Sequence, residues 1–401
     1  MKKAEHRLEV ADIFNRYGET YRQCHTLPFS HFKVMRNIQD CRTSVLGGHL
    51  DQCSNCAYER PLYNSCCDRH CPKCQTMAKE KWIDKKKEDL LPVPYFHSVF
   101  TLPHELNPLI LSNKRVILNI LFQAVSETLK KFGQEAKLPG QMGFLAILHT
   151  WSQNVLDHFH LHCIVPGGVL TKKGDFVVKD SFLFAVQALS LVFRSKFLDQ
   201  LEKAYSKGEL IFPGQTDMYR NPSIFNALVQ SLLQKKWVVY SKKPFAGPEQ
   251  VLEYLGRYTH KVAITNNRII SMDDGMITFS FRDRQDQGKK KTMTLPATEF
   301  IRRFLLHVLP ARFMKIRAYG FLANRAKKET LSLCRKALKV EAKDKEATKR
   351  SCSEIMKELT GKDIALCPKC QVGTMQSVKI IPKDKERLQF GGKRNGSLNS
   401  S

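Results

Sequence analysis

Seven cysteines and two histidines crowd into the 34 residues from Cys41 to Cys74, and they constrain the fold of this chain more than any other stretch. The kernel is Cys53-Ser-Asn-Cys56, then fourteen residues, then Cys71-Pro-Lys-Cys74. Two Cys-x-x-Cys knuckles at that separation are close to the spacing of a zinc ribbon, where each tight turn presents two thiolates to a tetrahedral ion. Cys53, Cys56, Cys71 and Cys74 are therefore the expected zinc ligands. Cys41, His49, Cys66 and His70 can complete a second site or replace members of the first, and spacing alone leaves open which four surround which ion. A closed site of this kind supplies folding energy rather than catalysis, because no coordination position remains for water. Arg60, Arg69, Lys73 and Lys79 around it offer a surface for gripping DNA or, equally, an ordinary solvated basic face. The Cys-Pro-Lys-Cys knuckle recurs at Cys367 and Cys370, with Cys334 and Cys352 as candidates to complete it at a spacing that matches no recognised site.

A second pattern carries chemistry rather than folding energy. In Asp157-His158-Phe159-His160-Leu161-His162-Cys163-Ile164-Val165-Pro166-Gly167-Gly168, histidines alternate with apolar residues just before an apolar run. Successive side chains of a strand point to opposite faces, so His158, His160 and His162 share one face while Phe159 and Leu161 pack into the other. That is the geometry of metal ligands projecting from a rigid strand; a solvated face that happens to carry histidines is the alternative. Later, Pro248 suits a first helical position, and Val251 with Leu255 gives an apolar stripe. Tyr254 and Tyr258 lie four apart on that helix, beside Arg257 and Lys261, so two phenols stack one turn apart in a phosphate-friendly setting. Taken alone, two tyrosines at this spacing read as an aromatic core edge, and the histidine strand is what favours catalysis.

The charge balance agrees with a polyanionic partner. Lysine and arginine number 65 against 38 acidic residues, a formal charge of +27 spread along the chain, which favours nucleic acid. The opening, MKKAEHRLEVADIF, has no signal-peptide core and the apolar runs are short, so a cytoplasmic, nucleoid-associated protein is expected, with its thirteen cysteines as thiols or metal ligands. Helices are expected over 1–40, 80–91, 106–131, 182–205, 223–234, 300–308 and 325–359, and strands over 95–102, 144–151, 158–165 and 237–240, with antiparallel strands in 262–284. Strands and helices alternate without a regular βαβ rhythm or a glycine-rich phosphate loop, which predicts an α+β fold with helices on one sheet face. The domain boundaries expected are 1–91 for a helical start plus zinc module, 92–325 for the core, 326–376 for a charged helical segment with the last knuckle, and 377–401 for a disordered tail.

These parts permit a mechanism. A divalent ion held by His160 and His162 can polarise a phosphodiester while a tyrosine attacks in line and keeps one DNA end as a phosphotyrosine, which stores the bond energy for a later transfer. Magnesium and manganese want more ligands than two imidazoles, so a third is expected from Gln250, His158, Asp157, His149 or His260, with Gln250 carried forward as the candidate.

His160-Leu161-His162 resembles the His-hydrophobic-His motif of HUH endonucleases, and Tyr254-Leu-Gly-Arg-Tyr258 resembles the paired-tyrosine motif of their two-tyrosine branch. The segment LGGHLDQCSNC to YNSCCDRHCPKCQ is similar to the zinc-binding domain that opens bacterial insertion-sequence transposases of the IS91 type. HTWSQNVLDHFHLHCIVPGG, YLGRYTHKVAITNNRI and FIRRFLLHVLPARFMKIRAYGFLANR also read like that family, so the resemblance spans about residues 20 to 375. It implies a rolling-circle-like transposase acting on single-stranded DNA, with a ferredoxin-like palm, His160 and His162 as ligands for Mg²⁺ or Mn²⁺, Tyr254 and Tyr258 as nucleophiles, and structural Zn²⁺. Cys67 departs from the family pattern, where arginine is usual, and adds a spare thiol near the zinc ligands. The rival expectations are a rolling-circle replication initiator or relaxase-like nickase with the same chemistry, and a non-catalytic zinc-ribbon DNA-binding protein.

Overall fold

The computed structural model describes residues 7–135, 140–179, 185–242, 250–251, 256, 262–283, 286–340 and 350–384. Its centre is an antiparallel sheet of five strands, in the order Ile316–Tyr319, Phe144–Trp151, Asp157–Pro166, Tyr95–Thr101 and Val239–Lys242. The strand Asp157–Pro166 lies in the middle, so both of its edges are paired. Its alternation does what the sequence pattern requires: Phe159, Leu161, Cys163 and Val165 face one core, while Ile164 belongs to another on the reverse face. Burying a side chain such as Phe159 or Leu161 stabilises by about 2–3 kcal/mol, enough to hold the strand in this register against a one-residue slip.

Helices Lys114–Glu135 and Val186–Ser206 cover the face that carries Phe159 and Leu161, through Ile117, Leu121, Val125, Leu189, Phe193 and Phe197. The expected helix over 106–131 is broken at Asn113. That side chain caps the short helix Asn107–Ser112 by donating to the Leu109 carbonyl and also pairs with both backbone groups of Ile211. The fold is thus α+β, with one sheet face packed on helices and the histidine face turned the other way.

Two smaller bodies flank this palm. A hairpin sheet of Ile269–Asp273, Met276–Asp283 and Lys289–Pro296 packs with helix Ala297–Leu306 and the first helix, Val10–Cys24, around Phe14, Phe279, Phe300 and Phe304. Its tight turn uses Asp274 and Gly275, both at positive φ, as a two-residue hairpin of that hand demands. The other body is a three-stranded sheet in which Gly48–Cys53 is central, flanked by Glu59–Tyr63 and by Met375–Ile381 from the far end of the chain. Residues 377–381, expected to begin a disordered tail, are therefore strand, because the open edge of Gly48–Cys53 supplies their hydrogen-bonding partner; residues 385–401 lie outside the described residues. The charged segment expected as one helix over 325–359 is two, Lys327–Ala337 and Cys352–Thr360, the second opened by a reciprocal capping box between Ser351 and Glu354.

Candidate active site and metal centres

Residues His149, His160 and His162 converge on the sheet face opposite the helices, and each is buried. His149 sits directly across from His160 in the strand register, so it shares that face, and its ring lies flat against Trp151 with centroids 5.1 Å apart. One ring nitrogen from each member of the trio comes within 4.8 Å of the other two.

Hydrogen bonding orients the rings. Nδ1 of His160 is 2.9 Å from the His158 carbonyl, which can only accept, so Nδ1 carries the proton and Nε2 keeps its lone pair. Nδ1 of His162 is 2.9 Å from Nε2 of His97. Nε2 of His160 and Nε2 of His162 face each other at 3.1 Å. Neighbouring ligand nitrogens about 2.1 Å from an octahedral ion would be about 3.0 Å apart, which matches this separation. The donor set therefore fits a divalent cation.

His97 was not singled out from the sequence. It lies on the strand Tyr95–Thr101, diagonal to His162 across the pair, and burial pushes its imidazole down to about 4, so it stays neutral and can accept the Nδ1 proton of His162. The only signal for it was a polar residue at a period-two position in an otherwise apolar strand. Of the other third-ligand candidates, the His158 ring lies tilted against His160 with centroids 4.6 Å apart, and Asp157 begins the strand with one buried carboxylate oxygen lacking a hydrogen bond. Gln250 is helical and exposed. Tyr254, Arg257, Tyr258, His260 and Lys261 lie outside the described residues.

The cysteines form two clusters, and the division differs from the spacing-based expectation. Cys41, Cys66, Cys71 and Cys74 make one; Cys53, Cys56, Cys367 and Cys370 make the other. The two early knuckles are thus in different clusters. The physical reason is the hairpin between them: Cys53 and Cys56 sit at its tip, Cys41 and Cys66 at its base, and strands of this length span about 17 Å. In the first cluster Cys41 and Cys66 each lie 3.6 Å from Cys74. Thiolates about 2.3 Å from a tetrahedral zinc ion are about 3.8 Å apart, so the spacing fits that ion and is far too long for a disulfide.

His49 and His70 belong to neither cluster. His70 donates from Nδ1 to Asp68 and accepts the Leu309 amide at Nε2, so both nitrogens are already used; His49 pairs with Asp51 at 3.4 Å. Cys67 is exposed at a positive φ, beside Ser65, and Cys334 and Cys352 also stand apart from both clusters. The basic residues of the module are committed within the chain. Arg69 is held by the Phe313 and Pro310 carbonyls, Lys73 by Glu9, Lys79 by Glu80, and Arg60 reaches the Ile364 carbonyl.

Fold and clusters define a class: α+β proteins that carry zinc-ribbon-type thiolate clusters beside a histidine site on an open sheet face. Residues 143–330 match a family described as "Putative transposase", and residues 13–102 match one described as "Transposase zinc-binding domain". "Putative transposase y4qJ" of Sinorhizobium fredii is 44% identical over 379 residues, covering 93% of this chain and 95% of that protein. The transposase for insertion sequence element IS801 of Pseudomonas savastanoi pv. phaseolicola is 29% identical over 307 residues, covering 75% of this chain and 72% of its own. A solved structure of the conjugative relaxase TrwC in complex with mutant oriT DNA covers 40% of this chain and 71% of that one, at 13% identity and a TM-score of 0.24. The chain belongs to the IS91 family of transposases, with the zinc-binding domain of that family at its N-terminal end.

Proposed function

We propose that this transposase cleaves and rejoins single-stranded DNA at the ends of its element through a 5′-phosphotyrosine intermediate, in a rolling-circle-like cycle. The observation that carries the reading is the histidine trio, with the Nε2 atoms of His160 and His162 aimed at one point 3.1 Å across. His149, His160 and His162 are the ligands for Mg²⁺ or Mn²⁺, with Gln250 as a further candidate and with water or phosphate oxygens completing the shell. When bound, the ion supplies charge stabilisation to the phosphate under attack and orients it.

Tyr254 and Tyr258 are the nucleophiles. A phenolate oxygen forms a bond to phosphorus, the bond from phosphorus to the 3′ oxygen breaks, and that oxygen leaves as a 3′-hydroxyl after taking up a proton. The reverse attack, by a 3′-hydroxyl of another strand, releases the tyrosine, so no external energy source is required. Arg257 and Lys261 neutralise the phosphates beside it. Support comes from the residues that bracket the first tyrosine. Val251 is buried in the same core as Ile147 and Ile164, on the face that carries the histidines, and a Cβ at helical Gly256 would collide with Ile83 of that core at 2.3 Å.

The test is to incubate labelled single-stranded terminus DNA with the protein and Mg²⁺ or Mn²⁺ and to run a denaturing gel. A protein–DNA species that disappears in the Tyr254→Phe/Tyr258→Phe variant is expected. Normal DNA binding with no such species from the parent protein in either metal would contradict the reading and favour a non-catalytic DNA-binding protein.

A further inference from the structure

The cluster Cys53, Cys56, Cys367 and Cys370 joins segments more than three hundred residues apart, and half of it lies outside the residues matched by the transposase zinc-binding domain. We propose that it is a second, separate zinc site, which clamps the C-terminal segment onto the N-terminal module and so completes that module only when the last part of the chain is present. This inference stands on the thiol geometry and does not depend on the strand-cleavage reading.

Four observations carry it. The sulfur separations across the two segments are 3.6 Å for Cys53 and Cys370 and 3.7 Å for Cys56 and Cys367, close to the edge of about 3.8 Å for a zinc tetrathiolate. Each knuckle turns its own amides onto sulfur: Asn55 and Cys56 donate to Cys53, Lys369 to Cys367, and Gly373 to Cys370, at 3.3 to 3.5 Å. Amides aimed at sulfur stabilise the thiolate form that a metal needs.

The backbone is built to bring the knuckles together. Ser54 and Thr374 exchange hydrogen bonds at 3.0 and 3.1 Å, and strand Met375–Ile381 continues the pairing along Gly48–Cys53. Gly373 approaches so closely that a Cβ there would meet the Cys53 sulfur at 2.6 Å and the Asn55 amide nitrogen at 2.8 Å. Finally, the segment before the knuckle is anchored at a different point, where Arg350 forks onto Asp84 and also reaches Glu80 of helix Pro72–Lys87. The metal site thus closes one end of a segment whose other end is already docked.

Zinc binding here would convert four thiols into four thiolates and release four protons, leaving a site of net charge 2−, with no redox partner required. Because a closed tetrathiolate has no open position, its role is structural.

Cobalt substitution reads thiolate sites through thiolate-to-metal charge-transfer absorption, which is silent for the histidine trio. The full chain should saturate at two thiolate-bound equivalents. Cys53→Ser/Cys56→Ser and Cys367→Ser/Cys370→Ser should each lose one equivalent, and the quadruple variant should lose the same one and no more. Saturation of the parent chain at one equivalent, or loss of both by the quadruple variant, would overturn the proposal. A readout on the parent chain alone guards against variants that fail to fold. Alkylation of the zinc-loaded protein, mapped by mass spectrometry, should modify exposed Cys24, Cys67 and Cys352 and spare Cys367 and Cys370 together with Cys53 and Cys56. Modification of Cys367 and Cys370 as fast as Cys352 would also overturn it.

Discussion

His97 and His162 are joined through their ring nitrogens at 2.9 Å, with their planes nearly parallel at 6°. With burial holding His97 neutral, its Nε2 can accept the Nδ1 proton of His162, the tautomer that turns the Nε2 lone pair of His162 toward Nε2 of His160. Partners of this kind orient a ligand without touching the ion. His97→Ala should weaken Mn²⁺ binding by about tenfold to a hundredfold, measured as the metal concentration for half-maximal cleavage. His97→Gln, which keeps an acceptor, should recover most of that affinity. An equal drop in cleavage at all metal concentrations would mean His97 merely supports the fold.

Removing a member of the trio should act on the ion and not on zinc. His160→Ala should reduce single-strand cleavage to background while zinc content, measured by elemental analysis, stays at the parent value. The reason is position: the trio rises from the middle of the palm sheet, whereas both thiolate clusters lie in and beside the small sheet built on Gly48–Cys53. A simultaneous loss of zinc would show that the variant had lost its fold.

The pH dependence of stability has a traceable source in His307. It donates from Nε2 to the Val155 carbonyl and accepts Thr150 at Nδ1, and burial lowers its imidazole to about 4. A folded value below the unfolded one means the unfolded chain binds the extra proton first. Stability is therefore full above about 6.5 and falls as pH drops from there toward 4. At pH 5 this one group should cost about 2 kcal/mol relative to pH 7.5. Urea unfolding of the parent and of His307→Gln at both values checks it, and the variant should show the shallower loss.

Gly373→Ala is a fine probe of the second thiolate cluster. Its Cβ would intrude on the Cys53 sulfur, so this variant should lose cobalt or zinc from one cluster at lower chelator concentration while the Cys41 cluster holds its ion. Equal retention at both clusters would show that the knuckle shifts freely to make room.

Much of the palm was legible because its signals are local. Period-two alternation in Asp157–Pro166 announced both the strand and the face on which His160 and His162 lie, since Phe159 and Leu161 need burial and the histidines follow on the opposite side. The two-residue turn at Asp274 and Gly275 was equally local. What stayed hidden depends on pairing between distant segments. His97 is a single histidine on an apolar strand, and His149 was one of several third-ligand candidates; only the register of three adjacent strands brings them to His160 and His162. The knuckle partners were hidden for the same reason. A spacing of fourteen residues between Cys56 and Cys71 looks like one ribbon, but a hairpin folded from those residues carries its tip away from its base, and the partner of Cys53 comes from the far end of the chain. Spacing reports local reach and says nothing of which remote loop returns to fill a site.

The central claim, that the histidine trio serves two tyrosine nucleophiles, is tested most directly by locating the DNA attachment. After incubation with single-stranded terminus DNA and Mn²⁺, nuclease trimming and peptide mass spectrometry identify the residue that carries the nucleotide. The account predicts modification at Tyr254 or Tyr258, absent without the metal and absent in His160→Ala. Attachment at another residue, such as Tyr240 at the sheet edge beside His97, or attachment that persists without the metal, would contradict it.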